Sequence, residues 1–249
     1  MIHIKSKKQI ETMRSANRIV ARTLRILAKN LEPGITTLEL DKIAESEIRA
    51  GGATPAFLGY RGYPASLCIS INEEVVHGIP GSRVIKSGDV VSMDLGSVYD
   101  GFCGDSALTV AVGEVPGPTK KLISVTKEAL ERGIDAMRVG NRLYDISAAI
   151  QQHVEANNLS VVRQFVGHGI GKEMHEDPQI PNYGKPGTGV RLKEGMVFAI
   201  EPMVNMGGWE VRVLDDDWTV VTLDGSLSAH FEHTVAVTSD GPDILSLPD

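Results

Sequence analysis

The sequence predicts an α/β (α+β) chain built from two pseudo-symmetric halves, each running helix, helix and then antiparallel strands, around one central site. Three observations carry this. KSGDVVSMDLG from Lys86 returns as KEGMVFAIEPM from Lys193, with Lys, Gly, Val and an acidic residue in register, so that Asp94 answers to Glu201. Each segment is followed by an acidic residue leading into TVAV, Asp105 in the first half and Glu232 in the second. SKKQI at Ser6 parallels TKKLI at Thr119, and both open long helical patterns. A self-similarity of this kind sets the architecture, because each copy folds into the same kind of unit.

The elements follow in order. In the first helix Ile10, Met13, Val20, Leu24, Leu27 and Leu31 recur at spacings of three, four and seven, the stripe of an amphipathic helix; Asn17 interrupts it. Arg14, Arg18, Arg22 and Arg25 form a basic row on another face. Such a row is more often a solvated face than a docking surface, so ribosome contact is a secondary expectation. A second helix follows Pro33-Gly34, with the hydroxyls of Thr36 and Thr37 as candidate N-caps and Gly51-Gly52 as its stop. Two strands then meet through SVYDGF, where Asp100-Gly101 signals a hairpin. TKKLISVTKEALERGIDAM and LYDISAAIQQHVEANN repeat the helical plan in the second half. No Pro/Gly/Ser-rich linker intervenes, which predicts one domain over 1–249 with halves at about 6–113 and 119–240.

Composition narrows the function. With 249 residues, 42% hydrophobic and 23% charged, the chain can bury a sizeable core. A formal charge of -7 argues against a dedicated binder of DNA or other nucleic acid, whose affinity rests on Lys and Arg; a small or peptide-like substrate fits better. Cys68 and Cys103 are the only cysteines and form no CxxC, which suggests a reducing compartment. No apolar run has the length of a signal core or a membrane span. The expectation is a cytoplasmic protein with no membrane partner.

Asp94 sits among Val90, Val91, Met93 and Leu95, where an ionised carboxylate costs several kcal/mol unless a cation receives it. If the hairpin loop holds two or four residues, period-2 alternation puts Asp94 and Asp105 on one face, roughly 5–8 Å apart. Two-fold symmetry would bring Glu201 and Glu232 to the same place. Four acids around one centre match oxygen-rich coordination of two divalent metals better than protonation alone. His168, between Gly167 and Gly169 in FVGHGIGKEMHEDP, is the histidine best positioned to add a nitrogen ligand. GHGIG is not a dinucleotide fingerprint, because no strand-to-helix crossover carries it.

These residues, with GYPASLCISINEEVVHGIP around His77 and FEHTVAVT near the end, closely resemble the methionine aminopeptidases of the bacterial type I form. The resemblance covers nearly the whole chain. It implies the pita-bread fold around a dinuclear centre in which Asp94 chelates one metal, Asp105 and Glu232 bridge the pair, and His168 and Glu201 complete the other. It further implies removal of N-terminal methionine from nascent proteins and peptides, favouring a small second residue. A metal-bridging hydroxide would attack the scissile carbonyl, with Glu201 as general base. His175 would contact the scissile carbonyl oxygen, and His77 would position the amide. The methionine pocket it implies comprises Phe57, Tyr60, Tyr63, Cys68, Met174 and Trp218. Many relatives have Cys at the position of Phe57 and Phe at that of Met174, so pocket shape is expected to differ. The resemblance leaves the metal open among Co, Mn, Fe and Zn, and the chain is expected to be a monomer. Two alternatives stand beside this: an Xaa-Pro aminopeptidase or prolidase-like peptidase of the same fold, and a catalytically silent relative that binds ribosome or RNA.

Overall fold

The computed structural model describes residues 1–248. Helix α1 (Lys7–Asn30) is opened by Ser6, whose Oγ accepts from the Gln9 N–H while Gln9 Oε1 accepts from the Ser6 N–H at 2.8 Å. Reciprocal capping of this kind satisfies two donors that a helix start leaves free. Helix α2 (Thr37–Ala50) starts the same way through Thr36 and Glu39. Thr36 is therefore the cap, and Thr37 instead donates its hydroxyl to the Gly81 carbonyl at 3.0 Å. Helix α3 (Gly117–Asp135) begins at Gly117 rather than at the repeat-matched Thr119, because Pro116 and Pro118 suit a first turn. Helix α4 (Leu143–Ala156) completes the second pair.

The strands that position the site are β1 (Cys68–Ile71), β2 (Val90–Tyr99), β3 (Phe102–Ala111), β4 (Gly167–Gly169), β5 (Glu176–Ile180), β6 (Val197–Ile200) and β7 (Glu232–Thr238). They form one curled antiparallel sheet in the order β2-β3-β7-β6-β4-β5, with β1 also paired to β2. The two halves join where β3 meets β7. Asp100 (φ 47) and Gly101 (φ 74) make a two-residue turn between Tyr99 and Phe102, a left-handed geometry that an Asp-Gly pair tolerates.

Each half has its own apolar core. Leu24, Leu27, Leu40 and Ile48 of α1 and α2 pack against Val91, Met93 and Leu95 of β2. Leu122, Leu130, Ile146 and Ile150 of α3 and α4 pack against Phe198 of β6 and Val235 of β7. Because side chains alternate along a strand, Val91, Met93 and Leu95 face the helices while Asp94 points to the other side. The acid in an apolar strand thus lies on the opposite face from the core that surrounds it in sequence. Among the described residues no helix is long and apolar enough to cross a membrane.

Candidate metal centre

Register decides which acids meet. Asp94 pairs with Ala107 and Asp105 with Gly96 across the β2–β3 ladder, so the two carboxylates are diagonal neighbours on one face. Glu232 pairs with the same Ala107 from the other side, and Cys68 pairs with Asp94. Cys68, Asp94, Ala107 and Glu232 therefore run as one row across β1, β2, β3 and β7. Glu201 directly follows β6, whose last pairing is Ile200 with His233, and His168 on β4 lies opposite Ala199 of β6. The repeat is looser than its TVAV echo suggests: aligning Thr109 with Thr234 matches Glu232 to Ala107 and Asp105 to His230. Asp105 and Glu232 come together through cross-strand pairing, not as symmetry mates.

The groups are close and dry. His168 Nε2 lies 3.5 Å from Glu201 Oε1 and 3.7 Å from Asp105 Oδ2. Asp105, His168 and Glu232 are buried and each offers one ligand atom within 4.8 Å of the others. The Nδ1 of His168 is 2.9 Å from the Gly169 carbonyl; it carries the ring proton there, which leaves the Nε2 lone pair facing the carboxylates. Burial first and then His175 lower the pKa of His168 to about 3, so the ring is neutral. Burial raises Asp94 to about 7. It also lifts Asp105, Glu201 and Glu232 well above the usual carboxylate range, with repulsion between the acids adding to it. Asp94 Oδ1, Asp105 Oδ1 and Glu232 Oε1 are buried without a hydrogen-bond partner. Three orphaned carboxylate oxygens beside a free imidazole nitrogen fit a divalent cation, since a buried acceptor without a partner otherwise carries its full desolvation cost.

One cavity of about 150 Å³ is lined by every predicted site residue except Met174, and also by Arg61, which no sequence motif marks. That volume accepts a benzene-sized group, so it takes one side chain and not a length of chain. Tyr63, edge-on to Trp218 at 5.0 Å, and Cys68 form a wall with Phe57 against it. Met174 lies behind Phe57, in a cluster with Met13, Cys103 and Ile170. Gly96 makes room for both: a Cβ there would come within 2.7 Å of Met174 Cε and 2.9 Å of Phe57 Cε1. His77 meets Phe165 and Trp218 edge-on at 5.5 and 6.2 Å. Burial and then His175 lower its pKa to about 4. His175 stands at the mouth with its ring 4.2 Å from that of His168 and its Nδ1 2.8 Å from the Tyr60 hydroxyl. Partial burial, then the charge of Arg61, lower its pKa as well.

Three supports escape the sequence reading. Asn17, the interruption in the apolar stripe of α1, is fully buried; it accepts from the Asp105 N–H at 3.2 Å and donates to the Met13 carbonyl at 2.9 Å. The signal was a polar residue on a core face. Asn182 donates to the Glu201 carbonyl at 2.9 Å. Lys5 and Glu176 form an ion pair at 2.6 Å with side chains only 6% and 8% exposed. Glu176 follows His175, and its other oxygen accepts from the Lys172 N–H at 3.0 Å, so the pair clamps the His175 loop. Within the basic row, Arg14 pairs with Asp243 at 2.6 Å and Arg22 with Glu47 at 3.5 Å.

A curled antiparallel sheet that gathers four carboxylates and an imidazole beside a small apolar cavity defines a metal-dependent hydrolase. The chain belongs to metallopeptidase family M24, whose description matches residues 11–239. It is 56% identical over 247 residues to the methionine aminopeptidase of Clostridium perfringens and 54% identical over 246 residues to methionine aminopeptidase 1 of Bacillus subtilis, covering 99% of each chain in both cases. The crystal structure of methionine aminopeptidase from Thermotoga maritima superposes with a TM-score of 0.98 at 49% identity, over 99% of this chain and 100% of that one. The prolidase of Pyrococcus furiosus shares the fold, with a TM-score of 0.80 at 24% identity over 99% of this chain and 66% of that one.

Proposed function

We propose that the protein removes the N-terminal methionine from peptides and nascent proteins, favouring a small second residue, with two divalent cations in the carboxylate centre. The observation that carries this is the junction of the two parts of the cavity. Cys68, in the apolar wall, is the direct cross-strand neighbour of Asp94, in the acidic wall. A side chain seated against Cys68, Tyr63 and Trp218 therefore brings its own amino group and carbonyl to the carboxylates. The cavity takes a single side chain, which suits an exopeptidase. An unbranched thioether also suits aromatic walls, with sulfur–ring contacts of about 0.3–1.5 kcal/mol each.

Asp94, Asp105, His168, Glu201 and Glu232 would hold the cations. When bound, these supply Lewis acidity and bring the pKa of water toward neutrality. Glu201, raised in pKa and reaching into the cavity, is suited to take the proton from the attacking water as general base. The Tyr60 O–H donates to Nδ1 of neutral His175, which leaves Nε2–H to donate to the scissile carbonyl oxygen. His77, neutral through its lowered pKa, is free to contact the amide nitrogen. The 56% identity to a methionine aminopeptidase favours this over an Xaa-Pro peptidase, for which the likeness is one of fold.

The test is cleavage of Met-Gly and Ala-Pro peptides by protein reloaded separately with Mn, Fe, Co and Zn, with metal content measured in parallel. Release of methionine from Met-Gly peptides at two metals per chain is expected. Cleavage of the Ala-Pro peptides alone would overturn the reading, as would full turnover at one metal per chain for the count of two.

A further inference from the structure

Resting on the aminopeptidase reading above, we propose that Arg61 selects, among peptides beginning with methionine, those with an acidic residue in the first few positions beyond the scissile bond. Arg61 is the only Arg or Lys lining the cavity. It lies in the turn Tyr60–Gly62 with φ 50 and ψ 23, flanked by Gly59 at φ 83 and Gly62 at φ 91. A side chain in this left-handed region costs about 1–2 kcal/mol relative to glycine, and strain held at the lip of a site points to a use there. The guanidinium carbon stands 5.4 Å above the Tyr60 ring, and no described carboxylate pairs with it. Arg61 is thus an exposed, unpaired cation fixed to the wall whose hydroxyl holds His175.

The path of the substrate gives the charge its meaning. With the methionine side chain against Cys68 and the scissile carbonyl at His175, the rest of the peptide leaves through the mouth, past Arg61. The Tyr60 ring beneath the Arg61 guanidinium also stacks on His175, with centroids 5.4 Å apart, so the cation stands one ring away from the residue that meets the scissile carbonyl. An acidic side chain a few positions beyond the scissile bond is attracted and a basic one repelled. One exposed pair is worth about 1.5- to 5-fold in affinity, so attraction against repulsion spans about 2- to 25-fold.

The experiment compares kcat/KM for Met-Ala-Xaa-Ala-Ala and Met-Ala-Ala-Xaa-Ala amides, Xaa being Asp, Ala or Lys, with the metal-loaded enzyme. The wild type is expected to prefer Asp over Lys within that range, and the ratio should fall toward one in about 1 M salt, where screening acts over about 3 Å. Arg61→Glu should invert the ratio, Arg61→Ala bring it near one, and Arg61→Lys keep its sign. A ratio unmoved by Arg61→Glu and Arg61→Ala, or indifferent to salt, overturns the proposal. Failure of the wild type to cleave the all-Ala peptide counts against the aminopeptidase reading instead. Calorimetric affinities for the same peptides with a reduced, uncleavable first bond then judge Arg61 separately.

Discussion

The first half of the chain sets its two acids diagonally across one hairpin, Asp94 on β2 and Asp105 on β3. The second half brings Glu201, just past the end of β6, near Glu232 at the start of β7 and adds His168 from β4. The first half also supplies most of the apolar wall, Phe57 to Cys68, while the second supplies His175 and Trp218. The helices, the strand ladders and the pair Asp94 and Glu201 obey the repeat, and Asp105 and Glu232 depart from it. Symmetry frames the centre, and asymmetry gives it distinct acidic, basic and apolar sides.

Breaking the acidic side has the largest expected effect. Asp94→Asn should abolish metal loading at that position and lower turnover by more than about 100-fold, since even residues that only support metal ligands are worth 10–100-fold. The metal-free variant should melt no lower than the metal-free parent, because it loses one of four mutually repelling buried acids. Metal analysis with calorimetry checks both halves of the statement, and full metal content with normal turnover would refute it.

Lys5→Met tests whether the catalytic face of the second half depends on the first few residues of the chain. It leaves Glu176 buried without its cation, at a cost of up to about 3–5 kcal/mol, and should loosen the loop that carries His175. A drop in kcat at unchanged metal content is expected. Double substitution with Glu176→Gln should recover part of the stability, read from denaturant midpoints.

The metal-free centre should reveal itself through pH. Asp94, raised to about 7, and Asp105, Glu201 and Glu232, held well above the usual carboxylate range by burial and by one another, bind protons more tightly folded than unfolded. Their contribution is complete below about pH 4 and is lost as pH rises through the folded values. His77, His168, His230 and His233, lowered to about 4, 3, 3 and 4, work in the opposite sense. Their contribution is complete above about pH 6.5 and is lost as pH falls. Above that point only the acids still act. Chelated protein should therefore lose on the order of 1–3 kcal/mol between about pH 6.5 and 8.5. Metal-loaded protein should gain, because deprotonated ligands bind the cation better. Denaturant titrations with and without chelator decide it; stability rising with pH in the chelated protein would refute the account.

Tyr60→Phe gives the smallest change. The ring still stacks on His175 but no longer donates to Nδ1, a loss of about 1 kcal/mol or fivefold in kcat. KM should hold. An unchanged kcat would remove Tyr60 from the positioning of His175.

Much of this was legible in sequence because it rests on local periodicity and on chemistry that admits few partners. The apolar stripes gave the helices, Asp100-Gly101 gave the hairpin, and an acid repeated in an apolar strand pointed to a cation. The clamp between Lys5 and Glu176, the grip of Asn17 on the Asp105 strand and the open charge of Arg61 were not legible. The first two join residues 171 and 88 positions apart, and nothing local in a chain marks such a pairing.

By itself the sequence determined the two-fold plan, the helical faces and the set of acids, since hydrophobic period, capping residues and turn chemistry act within a few residues. Only the tertiary structure decided which acids touch, because strand register, not position in the repeat, carries Asp105 to Glu232. It also decided that Met174 backs the pocket while Phe57 lines it. Close packing around a glycine such as Gly96 settles that, and packing depends on neighbours brought from elsewhere in the chain.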